Sequence, residues 1–273
     1  MLILEKPWTR QPQTVVKAKP AGFRHLIYGD KFSGVDGGVW TPTNAPPIAA
    51  TPVGLARQFT AASAQAITTP AQNLSQTNIT LFGLVRRTTN AINATIINVG
   101  AASGNNRTLL YFASDSLAIF SGAGAITGQA TTGVSSYTNT TDYVAVVGRV
   151  FSSTSRSVWA KTANSALLTG INTSNSSPST PATVSVGGYW NDGSFVAGFY
   201  MAGFIAVAGV IPYAINDSQA MGLLNDLNGW VRWLEPRRIL IPTAAAAATA
   251  PTITALSARL ITDTSAQPRI SYS

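Results

Sequence analysis

From Leu55 to about Tyr213, short apolar runs rich in branched and aromatic residues are separated by polar turns. The runs include Asn78-Ile-Thr-Leu-Phe-Gly-Leu-Val-Arg86, Tyr143-Val-Ala-Val-Val-Gly-Arg-Val-Phe151, Arg156-Ser-Val-Trp-Ala160 and Ala182-Thr-Val-Ser-Val186. Between them stand clusters of turn residues at 100–106, 139–142, 152–155 and 172–178. Many short strands at this spacing predict an all-β sandwich or barrel. One segment has a helical period instead. Asn216 or Asp217 can cap it, Met221, Leu224 and Leu227 fall on one face, and Gly229 marks its end. A short helix is therefore expected near 217–228.

The flanks read differently. Residues 1–54 carry Pro7, Pro12, Pro20, Pro42, Pro46, Pro47 and Pro52, with Trp8, Phe23, Tyr28, Phe32 and Trp40 spread among them. Each proline removes a backbone donor. The stretch is expected as an extended arm, either draped over another surface or folded as a lid on its own domain. Residues 55–242 are expected as the sandwich, with Trp230 to Pro242 supplying a turn and an edge strand. Residues 243–251 are Thr, Ala and Pro and read as a linker. Two further strands follow at 252–261 and 268–272. A lone hairpin is marginal in water, so this one is expected to join a neighbouring sheet or pack on the sandwich. The uncharged run Phe195 to Ile215 is long enough to span a bilayer. Pro212 and Gly198, Gly203 and Gly209 interrupt it, which favours buried strands.

Composition narrows the function. Of 273 residues only 10% are charged, against ~25% in an average soluble protein. So sparse a charge cover predicts a surface shared with other subunits, a homo-oligomer or a larger assembly. The net charge of +8 comes from 18 Lys and Arg against 10 Asp and Glu. The bases are scattered, without the basic stripe of a nucleic-acid reader. There is no cysteine, which excludes disulfides, thiol catalysis and thiolate metal sites. The N-terminal residues lack the apolar core of a signal peptide, so synthesis in a cytoplasm is expected, with export, if any, as part of something larger.

The order of elements resembles a laminin-G-like, concanavalin A-like module. Phe59 to Ile67 looks like its opening strands, Ile79 to Arg86 its next strand, and Tyr143-Val-Ala-Val-Val147 its "W-H-H-V-A-V-V" strand. Ser157-Val-Trp-Ala-Lys-Thr-Ala163 stands where the family has "L-Y-V-N-G". Val186-Gly-Gly-Tyr189 is similar to "I-G-G", and Phe199 to Ile211 to "F-x-G-x-I-x-x-V-x-I-Y". The helix matches "L-S-x-x-E-I-x-x-L". Coverage is about residues 55–227, and each piece is degenerate. The flanks Lys6 to Gln13, Trp230 to Pro242 and Gln267 to Tyr272 look like those of such proteins in tailed bacteriophages. The resemblance implies a jelly-roll concanavalin A-like β-sandwich with extended N- and C-terminal arms. It also implies a structural role in the virion, as a capsid decoration, head-fibre or minor tail component.

The chemistry of an enzyme is missing. Glycoside hydrolysis needs two facing carboxylates, and here Glu5 and Glu235 are the only glutamates and no Asp pair has strand spacing. His25 is the sole histidine, and no Gly-x-Ser-x-Gly elbow accompanies it. Ser121 to Gly128 is Gly-rich without a P-loop lysine and reads as a turn. Asp115, Asp142 and Asp192 are too few and too scattered for calcium. No cofactor, metal or catalytic residue is expected. The expected interface anchors are Trp8, Trp230, Trp233, Arg237 and Arg238, since aromatics and arginines dominate interfaces. The alternative is a carbohydrate-binding receptor module, with loops 100–106 and 188–194 shaping a site where Trp190 stacks on sugar. Trp159 and Trp190 otherwise fill the core. The expected partners are other virion proteins, the chain itself and a host glycan, with neither nucleic acid nor membrane insertion.

Overall fold

The computed structural model describes residues 24–28 and 40–226, apart from 70–73, 75–76, 91–92, 102–105, 123–127, 134–135 and 175–181. In chain order the first strands are β1 (Arg24–Tyr28), β2 (Thr41–Thr43), β3 (Ile48–Thr51), β4 (Gly54–Phe59), β5 (Ala66–Thr68) and β6 (Ile79–Arg87). Then come β7 (Ala94–Ala101), β8 (Arg107–Ala113), β9 (Ser116–Gly122), β10 (Ala130–Thr131), β11 (Val144–Ser152) and β12 (Ser155–Thr162). The last are β13 (Leu168–Asn172), β14 (Ala182–Val186), β15 (Trp190–Asn191), β16 (Ser194–Phe195) and β17 (Gly203–Ile211), followed by helix α1 (Asp217–Asn225).

Two antiparallel sheets form a jelly-roll β-sandwich. The first runs β13-β12-β11-β6-β17-β4-β3, with β1 also paired to β17. The second runs β10-β9-β8-β7-β14-β5-β2. Three short strands within the stretch expected as an arm pair with the sheets: β1 with β17, β2 with β5, and β3 with β4. The prolines do not prevent this. Pro42 lies on β2, an edge strand, where a missing donor leaves no ladder bond unmade.

The strands alternate as a two-layer core requires. On β6, Ile79, Leu81 and Val85 enter the space between the sheets, and Phe82 and Leu84 point the other way. On β11, Val144, Val146 and Val150 face inward, and Ala145 and Val147 outward. Facing them from the second sheet are Ile97, Val99, Leu110, Phe112, Ile119 and Val184. The near-continuous apolar text of β6 and β11 now has a cause: their outer faces are covered too. Ala220, Leu223 and Leu224 of α1 pack there with Phe82, Leu84, Val147, Trp159 and Val207. These three are the helix's buried residues. Met221 is only partly buried, so the expected apolar face is rotated, and Leu227 and Gly229 lie outside the described residues.

The helix begins as its sequence demands. The Asn216 side chain accepts from Gln219 N at 2.8 Å, and Gln219 Oε1 accepts from Asn216 N at 2.9 Å, a closed capping box. Its entry is pinned to β6: Thr80 Oγ1 donates to Tyr213 O at 2.9 Å and accepts from Ile215 N at 3.1 Å. The run Phe195 to Ile215 holds β16, a loop and β17. No helix among the described residues is long and apolar enough to cross a membrane.

Arg57, Arg87, Arg107 and Arg156 are buried, and the last three are held by carbonyls, an amide or ring faces. Arg156 donates to Gly128 O at 2.9 Å, Ser153 O at 3.2 Å and Asn172 Oδ1 at 2.8 Å. Arg87 donates to the carbonyls of Ser114 and Tyr137 and lies over the rings of Phe112 and Tyr137. Arg107 sits on the outer face of the second sheet. Burial lowers the pKa of all three from the ordinary guanidinium value.

Candidate functional site

The outer face of the second sheet carries an aromatic layer. Leu109, Tyr111, Ala118 and Phe120 project from β8 and β9 and pack with Phe199. Alternation puts them there: Leu110, Phe112 and Ile119, one residue along, face the core. The Arg107 guanidinium carbon lies 4.8 Å from the Phe120 ring centre and 5.1 Å from that of Tyr189. Such contacts hold a cation against ring faces. Tyr189 meets Phe199 edge-on at 5.2 Å, and Tyr111 approaches Phe199 at 6.2 Å. Burial raises the pKa of Tyr111 well above its ordinary value, with Arg107 opposing. Tyr189 is raised for the same cause and against the same opposition. The layer is a rigid support rather than an open surface.

Trp190 stands at its rim. It opens the hairpin β15–β16, in which Trp190 pairs with Phe195 and Asn191 with Ser194. Asp192 (φ 49°) and Gly193 (φ 80°) fill the turn, both left-handed, as the tightest hairpin turns require. The hairpin is clamped to the sheet beneath. Asn98 Nδ2 donates to Trp190 O at 2.8 Å, and Ser185 Oγ donates to Gly188 O at 2.8 Å. Gly100 permits this closeness, since a Cβ there would lie 2.3 Å from Trp190 O. The Trp190 ring is half-buried and meets Phe195 edge-on at 5.0 Å. Its Nε1 is enclosed without an acceptor. The indole therefore turns its polar end inward and stays partly open to solvent, on the hairpin that also carries Asn191, Asp192 and Ser194.

The other sequence candidates separate. Trp159 is 8% exposed on the outer face of the first sheet, under Arg149, whose guanidinium carbon lies 4.8 Å from its ring centre. Trp8, Trp230, Trp233, Arg237 and Arg238 lie outside the described residues, as do 102–105 of the loop expected beside Trp190. Asp115 and Asp192 occupy separate hairpin turns. Among the described residues no three His, Cys, Asp or Glu gather as a metal site. Sequence reading missed Arg107, Tyr111, Phe120, Tyr189 and Phe199. The signal was present in the runs Arg107 to Ala113 and Ser116 to Gly122, parted by the short turn Ser114-Asp115.

A second concavity lies on the opposite face of the sandwich. It is a cleft of ≈ 510 Å³ floored by Leu84 and Ala145 of the first sheet. The C-terminal end of α1, the β12–β13 turn, the segment before β11 and the β3–β4 turn form its walls.

No protein-family model matches this chain, and no curated protein does. Solved structures share its architecture. Domain 4 of AbnA, a GH43 extracellular arabinanase from Geobacillus stearothermophilus, solved with arabinotriose, is 16% identical with a TM-score of 0.53. That match covers 74% of this chain and 99% of that domain. The binding domain of Botulinum Neurotoxin DC, in complex with SialylT, is 10% identical with a TM-score of 0.51, covering 76% and 52%. Trypanosoma rangeli sialidase in complex with sialic acid is 12% identical with a TM-score of 0.50. The match spans 76% of this chain and a third (33%) of the sialidase. At such identities the likeness establishes the fold alone, an antiparallel jelly-roll β-sandwich with one short helix.

Proposed function

We propose that this chain is a non-catalytic, carbohydrate-binding β-sandwich module. The carrying observation is Trp190: a partly exposed indole on a clamped hairpin, with its N–H turned inward and Asn191, Asp192 and Ser194 on the same hairpin. An aromatic ring on a hairpin with hydrogen-bonding side chains fits the two-sided chemistry of a sugar, whose C–H face is apolar and whose hydroxyls are not. Two of the structural neighbours, the arabinanase domain and the toxin's binding domain, were solved with saccharide ligands, which supports the reading. Among the described residues no two carboxylates face one another at this rim, and hydrolysis by the common mechanism needs such a pair.

The test is a glycan array on the full chain, followed by calorimetry with Trp190→Ala. Binding should weaken about tenfold or more, as removal of a central aromatic anchor does. Undiminished affinity in the variant removes Trp190 from the site.

The second reading is a structural component of a tailed-phage particle that binds its neighbours and itself. Two exposed apolar side chains favour it, Phe151 at 60% and Ile171 at 74% exposure, in a chain with 10% charged residues. Light scattering decides: a trimer or larger ring that survives dilution supports it, and a monomer counts against self-assembly.

A further inference from the structure

The cleft on the first sheet has polar walls and an apolar floor, and both walls are braced from within. Lys161 Nζ donates to Asn225 Oδ1 at 2.7 Å, which joins the β12 wall to the last turn of α1. Among the described residues, the amide –NH₂ of Asn225 donates to no side chain, and Lys161 donates only to Asn225. Asn139 Nδ2 donates to Asp142 Oδ2 at 2.8 Å, while Asn139 Oδ1 accepts from the backbone N–H of Thr141 (2.8 Å) and Asp142 (2.9 Å). That turn fixes the Asp142 carboxylate against the cleft. Among the described residues its Oδ1 accepts from no side chain, so one acceptor stays open. Asn164 is exposed on the β12–β13 turn and adds a further amide.

The ligand class follows from these groups. Open amides, an ammonium and a carboxylate alternate around a floor of Leu84 and Ala145, the arrangement that grips ring hydroxyls while an apolar face rests below. The volume lies within the ~300–1,000 Å³ typical of small-ligand sites. Its charge then selects. Of the residues that line the cleft, Asp142 and Asp226 are acidic and Lys161 is basic, which leaves one formal negative charge in excess. The C-terminal end of a helix adds further negative character, and α1 has no basic residue in its last turn to offset it. An acidic sugar brings a like charge into this field; a neutral one does not.

We infer that this cleft is a second saccharide site, for a neutral mono- to trisaccharide in preference to an acidic one. It lies on the opposite face from Trp190 and does not rest on the reading of that residue.

The experiment titrates the full chain with lactose, cellotriose and the trimer of N-acetylglucosamine, and with 3′-sialyllactose as the acidic partner of lactose. Amide chemical shifts and calorimetry are the readouts. At least one neutral sugar should move signals confined to 141–145, 161–164 and 224–226, in wild type and in Trp190→Ala alike. The sialylated partner should bind more weakly than its neutral parent, and the sugar should be recovered intact. Asp142→Asn and Lys161→Met should each weaken binding about tenfold, the effect of losing one hydrogen bond to a charged group. Asn164→Ala alters an exposed side chain that plays no part in the core, and it should weaken binding with an unchanged melting temperature. The assignment is overturned if no neutral sugar binds at millimolar concentration, if the shifts fall elsewhere, if sialyllactose binds as well as lactose, or if Asn164→Ala binds unchanged.

Discussion

Gly100→Ala tests the clamp that carries Trp190. Gly100 lies on β7 outside the left-handed region, so alanine meets no backbone strain there. The whole cost is contact. The new Cβ would stand 2.3 Å from Trp190 O and 3.0 Å from Asn98 Nδ2. A carbon and a carbonyl oxygen approach to about 3.3 Å, so the hairpin must retreat by roughly 1 Å. The obstacle is backbone and cannot rotate aside. Overpacking of this kind costs about 1–3 kcal/mol. The retreat also stretches the 2.8 Å bond from Asn98 to Trp190 O, worth about 1 kcal/mol. The smaller entropy of the unfolded alanine chain returns about 0.4–1 kcal/mol. The net loss is about 2 kcal/mol, and the melting temperature falls by ~4–8 °C for a domain of this size. Circular dichroism melts measure it, and sugar affinity at the Trp190 rim should fall with it. A melting temperature equal to or above wild type refutes the clamp. Lost stability with unchanged affinity separates the hairpin from binding.

Other expectations follow from the buried polar groups. Burial pushes the Tyr137 phenol up to about 12, partly offset by Arg87. A folded pKa raised above the unfolded value near 10 gives stability that is complete below pH 10 and lost as pH rises from 10 to 12. About 2–3 kcal/mol is at stake. Denaturant midpoints from pH 8 to 12 should fall in that window, and Tyr137→Phe should flatten the fall; a wild-type midpoint constant to pH 12 contradicts the burial. Arg156→Met removes the hydrogen bonds to Gly128 O and Asn172 Oδ1 and should destabilise by about 2–4 kcal/mol in urea unfolding. A loss below 0.5 kcal/mol would show that water replaces the guanidinium. Asn216→Ala removes the helix cap and should cost about 1 kcal/mol, read by the same assay; no loss would mean that packing alone holds α1.

The strands most legible in the text were those whose two faces are both buried. β6 and β11 read as continuous apolar runs because α1 covers their outer side. The helix was legible from its cap, since Asn216 and Gln219 form a box that needs no distant partner. β2 and β3 were hidden by proline, a rule about donors that an edge strand escapes. β8 and β9 were overlooked although Arg107 to Ala113 has strand composition, because both faces carry aromatics and no simple alternation appears.

The sequence by itself determined an all-β class, a capped helix after the strands, and the absence of cysteine and of a carboxylate pair at strand spacing. Those follow from local propensity, local capping and residue inventory, none of which needs a third dimension. Only the tertiary structure decided that Trp159 is covered and Trp190 half-open, because both stand in the same kind of strand text and differ only in what packs above them. It alone placed Arg107 between Phe120 and Tyr189. It alone gathered Asp142, Lys161 and Asn225 around one cleft, since pairing of β11 with β12 brings Lys161 near Asp142, and docking of α1 brings Asn225 to Lys161, 64 positions before it in the chain.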